Sequence, residues 1–263
     1  MKNIFKMVSL LVLVLFSFFY TDRVMNFINK KDPLMNKIDL LKDKYEVLPV
    51  NAVLDSNTII PGVKGKSVDL DKSYENMKVS GIFREDYLVY NNILPSEMLS
   101  NNMDKYIIGG NTSSNRVSLL VITNYDNIDK IKNNNITIFL NHKDVSINNI
   151  KKIYKNSIYT YGNNGIYSEE ILDNDNTIIN RISKNKSIYC LSMGKNNDTL
   201  SICNKKKMYV VIPSIVGDYL DIKNNLTNGS IILLNDMNNL DIIVKYINSK
   251  GYMIVPLEEL LTE

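Results

Sequence analysis

The sequence predicts an α/β fold built on a parallel sheet or barrel. Three observations carry that reading. Residues 229–236, Gly-Ser-Ile-Ile-Leu-Leu-Asn-Asp, form a short apolar run bounded by turn residues, the pattern of a strand buried on both faces. In 240–247, Leu240, Ile243, Val244 and Ile247 recur at helical spacing, so one stripe faces a sheet. Asn238 or Asn239 can cap the start of that helix, Gly251 can end it in a left-handed turn, and 252–255 reads as a second strand. Strand, helix, strand with such tight punctuation is a right-handed βαβ unit. Its chemistry belongs on the loops at the C-terminal strand ends.

The elements follow in order. Lys2 and Lys6 introduce an apolar run from Met7 to Tyr20 that tolerates Ser9 and Ser17, within a largely apolar stretch that starts at Ile4. A charged start followed by an apolar core is the pattern of a secretion signal. The bulky Phe18-Phe19-Tyr20-Thr21-Asp22 offers no small-residue cleavage site. An uncleaved signal anchor, a transmembrane helix over 1–21, is therefore favoured over a cleaved signal, although the run lies at the lower limit for crossing a bilayer. The lysines ahead of the run place the rest of the chain outside the cytoplasm. The expected location is the cell membrane, single-pass, with the main domain extracytoplasmic. Residues 22–45, Lys-rich and broken by Pro33, read as a juxtamembrane stalk with some helix. Residues 46–115 read as a small α+β module, with strand-like pieces at 47–48, 51–54, 58–60, 87–90 and 106–108, a helix at 69–78, and turn signals at Pro61-Gly62 and Gly65. From Arg116 the α/β pattern begins and fills 116–263. Strands are expected at 117–122, 136–140, 157–161, 188–191, 208–212 and 231–234. Helices are expected at 146–154, after Ser168 to 182, and at 199–205.

Composition narrows the function. The 263 residues carry 31 Lys+Arg against 28 Asp+Glu, with no basic cluster interleaved with aromatics, which argues against a nucleic-acid partner. His142 is the single histidine, so histidine-based metal or acid–base chemistry is sharply limited. No Ser-His-Asp arrangement and no phosphate-cradling glycine loop is present. Asp126 and Asp129 flank one loop and read as helix-start residues. Cys190 and Cys203 are the only cysteines. Outside the cytoplasm such a pair favours a disulfide, and two buried free thiols are the alternative.

Several fragments share an order with a known family. Gly229-Ser-Ile-Ile-Leu-Leu-Asn-Asp236 and Gly251-Tyr-Met-Ile-Val-Pro-Leu-Glu-Glu-Leu-Leu261 look like a closing strand and final helix. Asn197-Asp-Thr-Leu-Ser-Ile-Cys203, running into Met208-Tyr-Val-Val-Ile-Pro-Ser214, looks like a helix and strand that follow an arginine motif. Gly162-Asn-Asn164 looks like a metal-binding turn. In this order, residues 116–261 resemble the polysaccharide deacetylase (NodB-homology) family. The piece from Thr58 to Tyr74 is similar to the segment before that domain in some membrane-anchored members. The resemblance implies a distorted (β/α) barrel, and an activity that removes acetyl groups from N-acetylated sugars of peptidoglycan, chitin or related glycans with a divalent metal such as zinc.

The same resemblance marks what this chain lacks. The family's two acids fall on Ile122 and Thr123, its metal-binding histidines on Asn164 and Ser168, its arginine on Cys190, and its proton-donating histidine on Asn235. Neutral amides and hydroxyls are poor zinc ligands, and Ile122 accepts no proton. The expectation is a divergent member, a membrane-anchored extracytoplasmic pseudoenzyme without a cofactor, binding an envelope glycan or an envelope protein. Candidate ligand contacts are Tyr161, Asn163 and Tyr167. Tyr159, Tyr189 and Tyr219 also fall near expected loop mouths, and tyrosines suit sugars but equally fill half-buried sheets. Two rivals remain. One is an active metal-dependent deacetylase with an atypical site around His142, Asp126 and Asp144, against the reading of His142 as a surface-loop residue. The other is a structural envelope protein without a ligand.

Overall fold

A computed structural model describes residues 2–29, 32–123, 125–133, 135–183 and 186–263. Its elements in chain order begin with α1 (Lys2–Asn29), α2 (Pro33–Leu41), β1 (Val53–Leu54), β2 (Thr58–Ile60), β3 (Gly65–Val68), α3 (Leu70–Met77), β4 (Tyr90–Ile93) and β5 (Tyr106–Ile107). They continue with β6 (Arg116–Thr123), β7 (Thr137–Leu140), α4 (Ile147–Lys152), β8 (Ser157–Thr160), α5 (Glu169–Ile182), β9 (Tyr189–Leu191) and α6 (Asn197–Lys205). The last are β10 (Tyr209–Val211), β11 (Ile215–Gly217), α7 (Tyr219–Asn225), β12 (Ile231–Leu234), α8 (Leu240–Ser249), β13 (Met253–Ile254) and α9 (Leu257–Leu260).

The chain divides into two units, the first of which takes residues 1–49 and 64–93. Here the sequence reading needs two corrections. Residues 33–41, expected in a stalk, pack as a helix. Pro33 opens α2 at its first position, where a missing N–H costs nothing, and the Asp32 carboxylate accepts the Leu34 N–H at 2.7 Å. The helix then buries Leu34, Met35 and Ile38 against Val68, Tyr74, Met77 and Leu88. The second correction concerns the anchor. α1 is one continuous helix with Met7, Leu11 and Phe16 exposed. Yet among the described residues no helix is long and apolar enough to cross a membrane. The expected membrane span therefore finds no support among the described residues. A span takes about 20 apolar residues.

The second unit takes residues 50–63 and 94–263. The boundary expected at 116 is therefore displaced. β1, β2 and β5, expected in the small module, join a sheet ordered β1-β2-β5-β10-β9, parallel except for antiparallel β1. The other sheet is wholly parallel, ordered β11-β12-β6-β7-β8, with β13 paired to the start of β6.

Alternation along the strands builds two layers of core. Leu120, Phe139, Tyr159, Ile231 and Leu233 turn to an interior shared with Ile59, Ile107, Leu191 and Val211 of the first sheet. Their neighbours Leu119, Val121, Ile138, Leu140, Ile158 and Ile232 turn outward to helices that supply Ile150, Ile179, Ile222, Ile243 and Ile247. Fully buried strands of this kind read as continuous apolar runs, as the sequence does. Inside, the ring of Tyr159 stands edge-on to Tyr189 at 5.3 Å and links the two sheets. α9 closes this interior with Leu257 and Leu260, and its Glu258 carboxylate accepts hydrogen bonds from the Tyr159 hydroxyl at 2.9 Å and from Ser157.

Candidate functional site

The loops after β8 and β9 form a cavity of about 330 Å³ at the C-terminal ends of the strands. On one side stands the turn 161–166. Its Asn163 N–H donates to the Ile166 carbonyl and its Gly165 N–H to the Tyr161 carbonyl, both at 2.8 Å. The turn needs left-handed backbone at Gly162 (φ 60°), Asn164 (φ 51°) and Gly165 (φ 84°). Asparagine is among the few non-glycine residues that accept this conformation readily. The Asn141 side-chain oxygen accepts the Asn164 N–H at 3.2 Å and fixes the turn against β7. Tyr161 is half-buried in the cavity wall, and burial pushes its hydroxyl pKa up, so it stays a neutral donor.

The opposite wall comes from residues 191–199. The Asn196 side chain caps α6 by accepting the Thr199 N–H at 3.0 Å. The Lys195 ammonium donates to the Asn57 side chain at 2.8 Å, and the Ser192 hydroxyl donates to the Gly194 carbonyl at 2.6 Å. One aromatic ring, amides, hydroxyls and one ammonium give a wall that suits an uncharged or weakly anionic ligand rich in hydroxyl and amide groups.

The positions singled out in the sequence do not gather at one centre. Ile122 and Asn235 line a different cavity, of about 260 Å³, with Asn127, Lys130, Asp236 and Asn238. Thr123 is buried at the end of β6. Asn164 lines the first cavity. Ser168 is the N-cap of α5, its hydroxyl accepting the Ile171 N–H at 3.2 Å. Cys190 is bonded to Cys203, with an S–S distance of 2.07 Å. Both cysteines are fully buried, packed with Leu172, Met208 and Val210 on the helix-covered side of β9. Position 190 therefore turns its side chain away from the interior.

The candidate contacts separate as well. Tyr161 lines the cavity, and Asn163 is exposed at the turn but not part of the lining. Tyr167 requires a correction. It is 4% exposed, and its hydroxyl bonds both backbone groups of Leu191, at 2.9 and 3.0 Å, so it anchors the end of β9 rather than meeting a ligand. Tyr159 and Tyr189 are likewise interior, and Tyr219 lies edge-on to Tyr246 beside the outer helices.

Among the described residues His142 is not part of a metal-binding cluster. Its Nδ1 lies 2.7 Å from Oδ1 of Asp175, a residue of α5 that is 1% exposed. The Thr160 hydroxyl donates to the other oxygen of Asp175. Sequence reasoning missed Asp175, although a signal was there: it falls between Leu172 and Ile179 on the buried stripe of α5. Asp129 pairs with Lys152 at 3.2 Å. The Asp126 side chain lies outside the described residues. Among the described residues no three His, Cys, Asp or Glu side chains gather where they could hold a metal ion. A zinc ion calls for imidazole, thiolate or carboxylate. An amide at 164, a capping hydroxyl at 168 and a disulfide sulfur at 190 do not fit it.

No protein-family model matches the sequence. A stretch of 92 residues, 35% of this chain, is 38% identical to the uncharacterized protein YlxY of Bacillus subtilis (strain 168). That stretch spans 29% of the length of YlxY. Among solved structures, wild-type BA3943 from Bacillus anthracis, described as a CE4 family pseudoenzyme, aligns with a TM-score of 0.65 at 21% identity, over 89% of this chain and 96% of that one. A BA3943 mutant described as having restored enzymatic activity aligns at 0.64 and 21% identity, over 88% and 99%. The similarity covers the α/β architecture built up above, and it gives the chain the fold of BA3943.

Proposed function

We propose that this protein is a catalytically inactive, extracytoplasmic deacetylase-like module that binds an envelope glycan through the cavity between the 161–166 turn and the 191–199 loop. The observation that carries this reading is the chemistry at the family's catalytic positions: Ile122, Thr123, Asn164, Ser168, Cys190 and Asn235 offer neither a metal-ligand set nor a general base. The fold shared with BA3943, a CE4 family pseudoenzyme, supports it. The polar wall with Tyr161 at its edge supports a sugar ligand over a lipid or an anionic polymer. The Cys190–Cys203 bond supports an oxidising compartment, since buried disulfides of this kind persist outside the cytoplasm. The exposed apolar residues of α1 favour contact with the membrane. An envelope protein bound at the same cavity is the second form of the reading.

Retention on purified peptidoglycan sacculi tests it. The full chain should co-sediment with sacculi, and Tyr161→Ala should weaken retention about tenfold, the effect of losing one aromatic contact and one hydrogen bond. Equal retention of the variant, or no sedimentation of the wild type, would contradict it.

A further inference from the structure

Neither cysteine lines the cavity, yet the wall that runs from Leu191 to Thr199 lies wholly inside the loop that Cys190 and Cys203 close. The two ends of that loop are firmly held. At its entry, the Tyr167 hydroxyl bonds both backbone groups of Leu191, and the Ser192 N–H donates to the Val211 carbonyl at 2.9 Å. At its exit, the Asn196 cap starts α6, which carries Cys203 two turns on. The middle is held by side-chain hydrogen bonds, from the Ser192 hydroxyl to the Gly194 carbonyl and from the Lys195 ammonium to Asn57, rather than by strand pairing. Met193 is exposed, and a side chain built at Gly194 would meet no atom within 4 Å. The position of this wall therefore depends on how closely α6 is held to β9.

We infer that the Cys190–Cys203 disulfide is a positioning device for the ligand cavity. It holds α6 against the outer face of β9 and so presets the 191–199 wall for binding. The argument is one of preorganisation: a loop already ordered before association does not lose its conformational freedom on binding. This inference deepens the glycan-binding reading and rests on it for the identity of the ligand. The placement of the wall, however, can be read without any ligand.

The experiment uses the full chain, oxidised, beside a Cys190→Ala/Cys203→Ala double variant. Two readouts are taken: hydrogen exchange of the 191–199 amides, and affinity for soluble peptidoglycan fragments carrying N-acetylglucosamine. The expected result is exchange in 191–199 at least about tenfold faster in the double variant, with β6, β7 and β12 still protected and affinity reduced about tenfold. Unchanged exchange in the loop, or unchanged affinity beside faster exchange, would overturn the inference. If wild type binds no fragment, the glycan reading fails, and the exchange result alone decides whether the bond positions the wall. Should the double variant unfold, the full chain treated with a thiol reductant under native conditions replaces it, because reduction opens the bond and leaves every side chain in place. Faster loop exchange and weaker binding are again expected, and no change in either would overturn the inference.

Discussion

Asp175 is a carboxylate almost wholly removed from water and held by His142 on one oxygen and Thr160 on the other. A buried charge tolerates this only while its hydrogen bonds are made. His142→Ala should therefore destabilise the protein by about 1.5–3 kcal/mol, the worth of a hydrogen bond to a charged group. Urea unfolding measures it, and an unchanged midpoint would show that the contact is idle. As the single histidine, His142 is a doubtful metal ligand on residue types alone, but its partner is not legible there, because the two residues are joined only by packing α5 onto the sheet. A second residue-scale consequence follows from the interior tyrosines. Burial, with Glu258 close by for Tyr159 and Tyr189, pushes the hydroxyl pKa values of Tyr159, Tyr167 and Tyr189 above the ordinary tyrosine range. The folded protein thus keeps protons that the unfolded chain releases above about pH 10. Their contribution to stability is complete below that pH and is lost as pH rises above it. Thermal melting as a function of pH should show a steep fall beyond pH 10, tracking tyrosinate absorbance, and a flat alkaline limb would refute the assignment.

At the scale of elements, the helices were more legible than the short strands. α5 announces itself by Ser168 before two glutamates and by an apolar stripe, and the cap forms as expected. Ser168→Ala should cost about 1 kcal/mol, visible as a lower melting temperature, and a neutral effect would mean that the Ile171 N–H finds water instead. Pro33 was misread because a proline breaks a helix in its interior but starts one at its first position, and the Asp32 cap decides between the two. β2 and β5 could not be assigned to the main sheet from sequence. Each has only two or three residues, too few for a period, and each pairs with a partner far away in the chain. The disulfide is equally illegible in the sequence, since the spacing of two cysteines does not give their distance. The chain-entropy argument assigns its loop, with a sequence separation of 13, roughly 3 kcal/mol. Reduction or the double alanine variant should lower stability by about that amount, and no loss in urea unfolding would contradict it.

For the whole molecule, the α/β architecture was readable from apolar runs alternating with amphipathic segments, because strands covered on both faces cannot hide their hydrophobicity. The site was harder. The degenerate positions were visible as residue types, but their separation into two cavities, a cap and a disulfide depends on the directions that side chains take from the folded backbone. What remains is a fold like that of BA3943 with uncharged side chains at 122, 123, 164, 168, 190 and 235. Acetate release tests this most directly. The full chain, supplied with excess zinc and N-acetylated peptidoglycan fragments, should release no acetate above a protein-free blank while still being retained on sacculi. Acetate release that accompanies one bound zinc per chain, and disappears in His142→Ala, would contradict it.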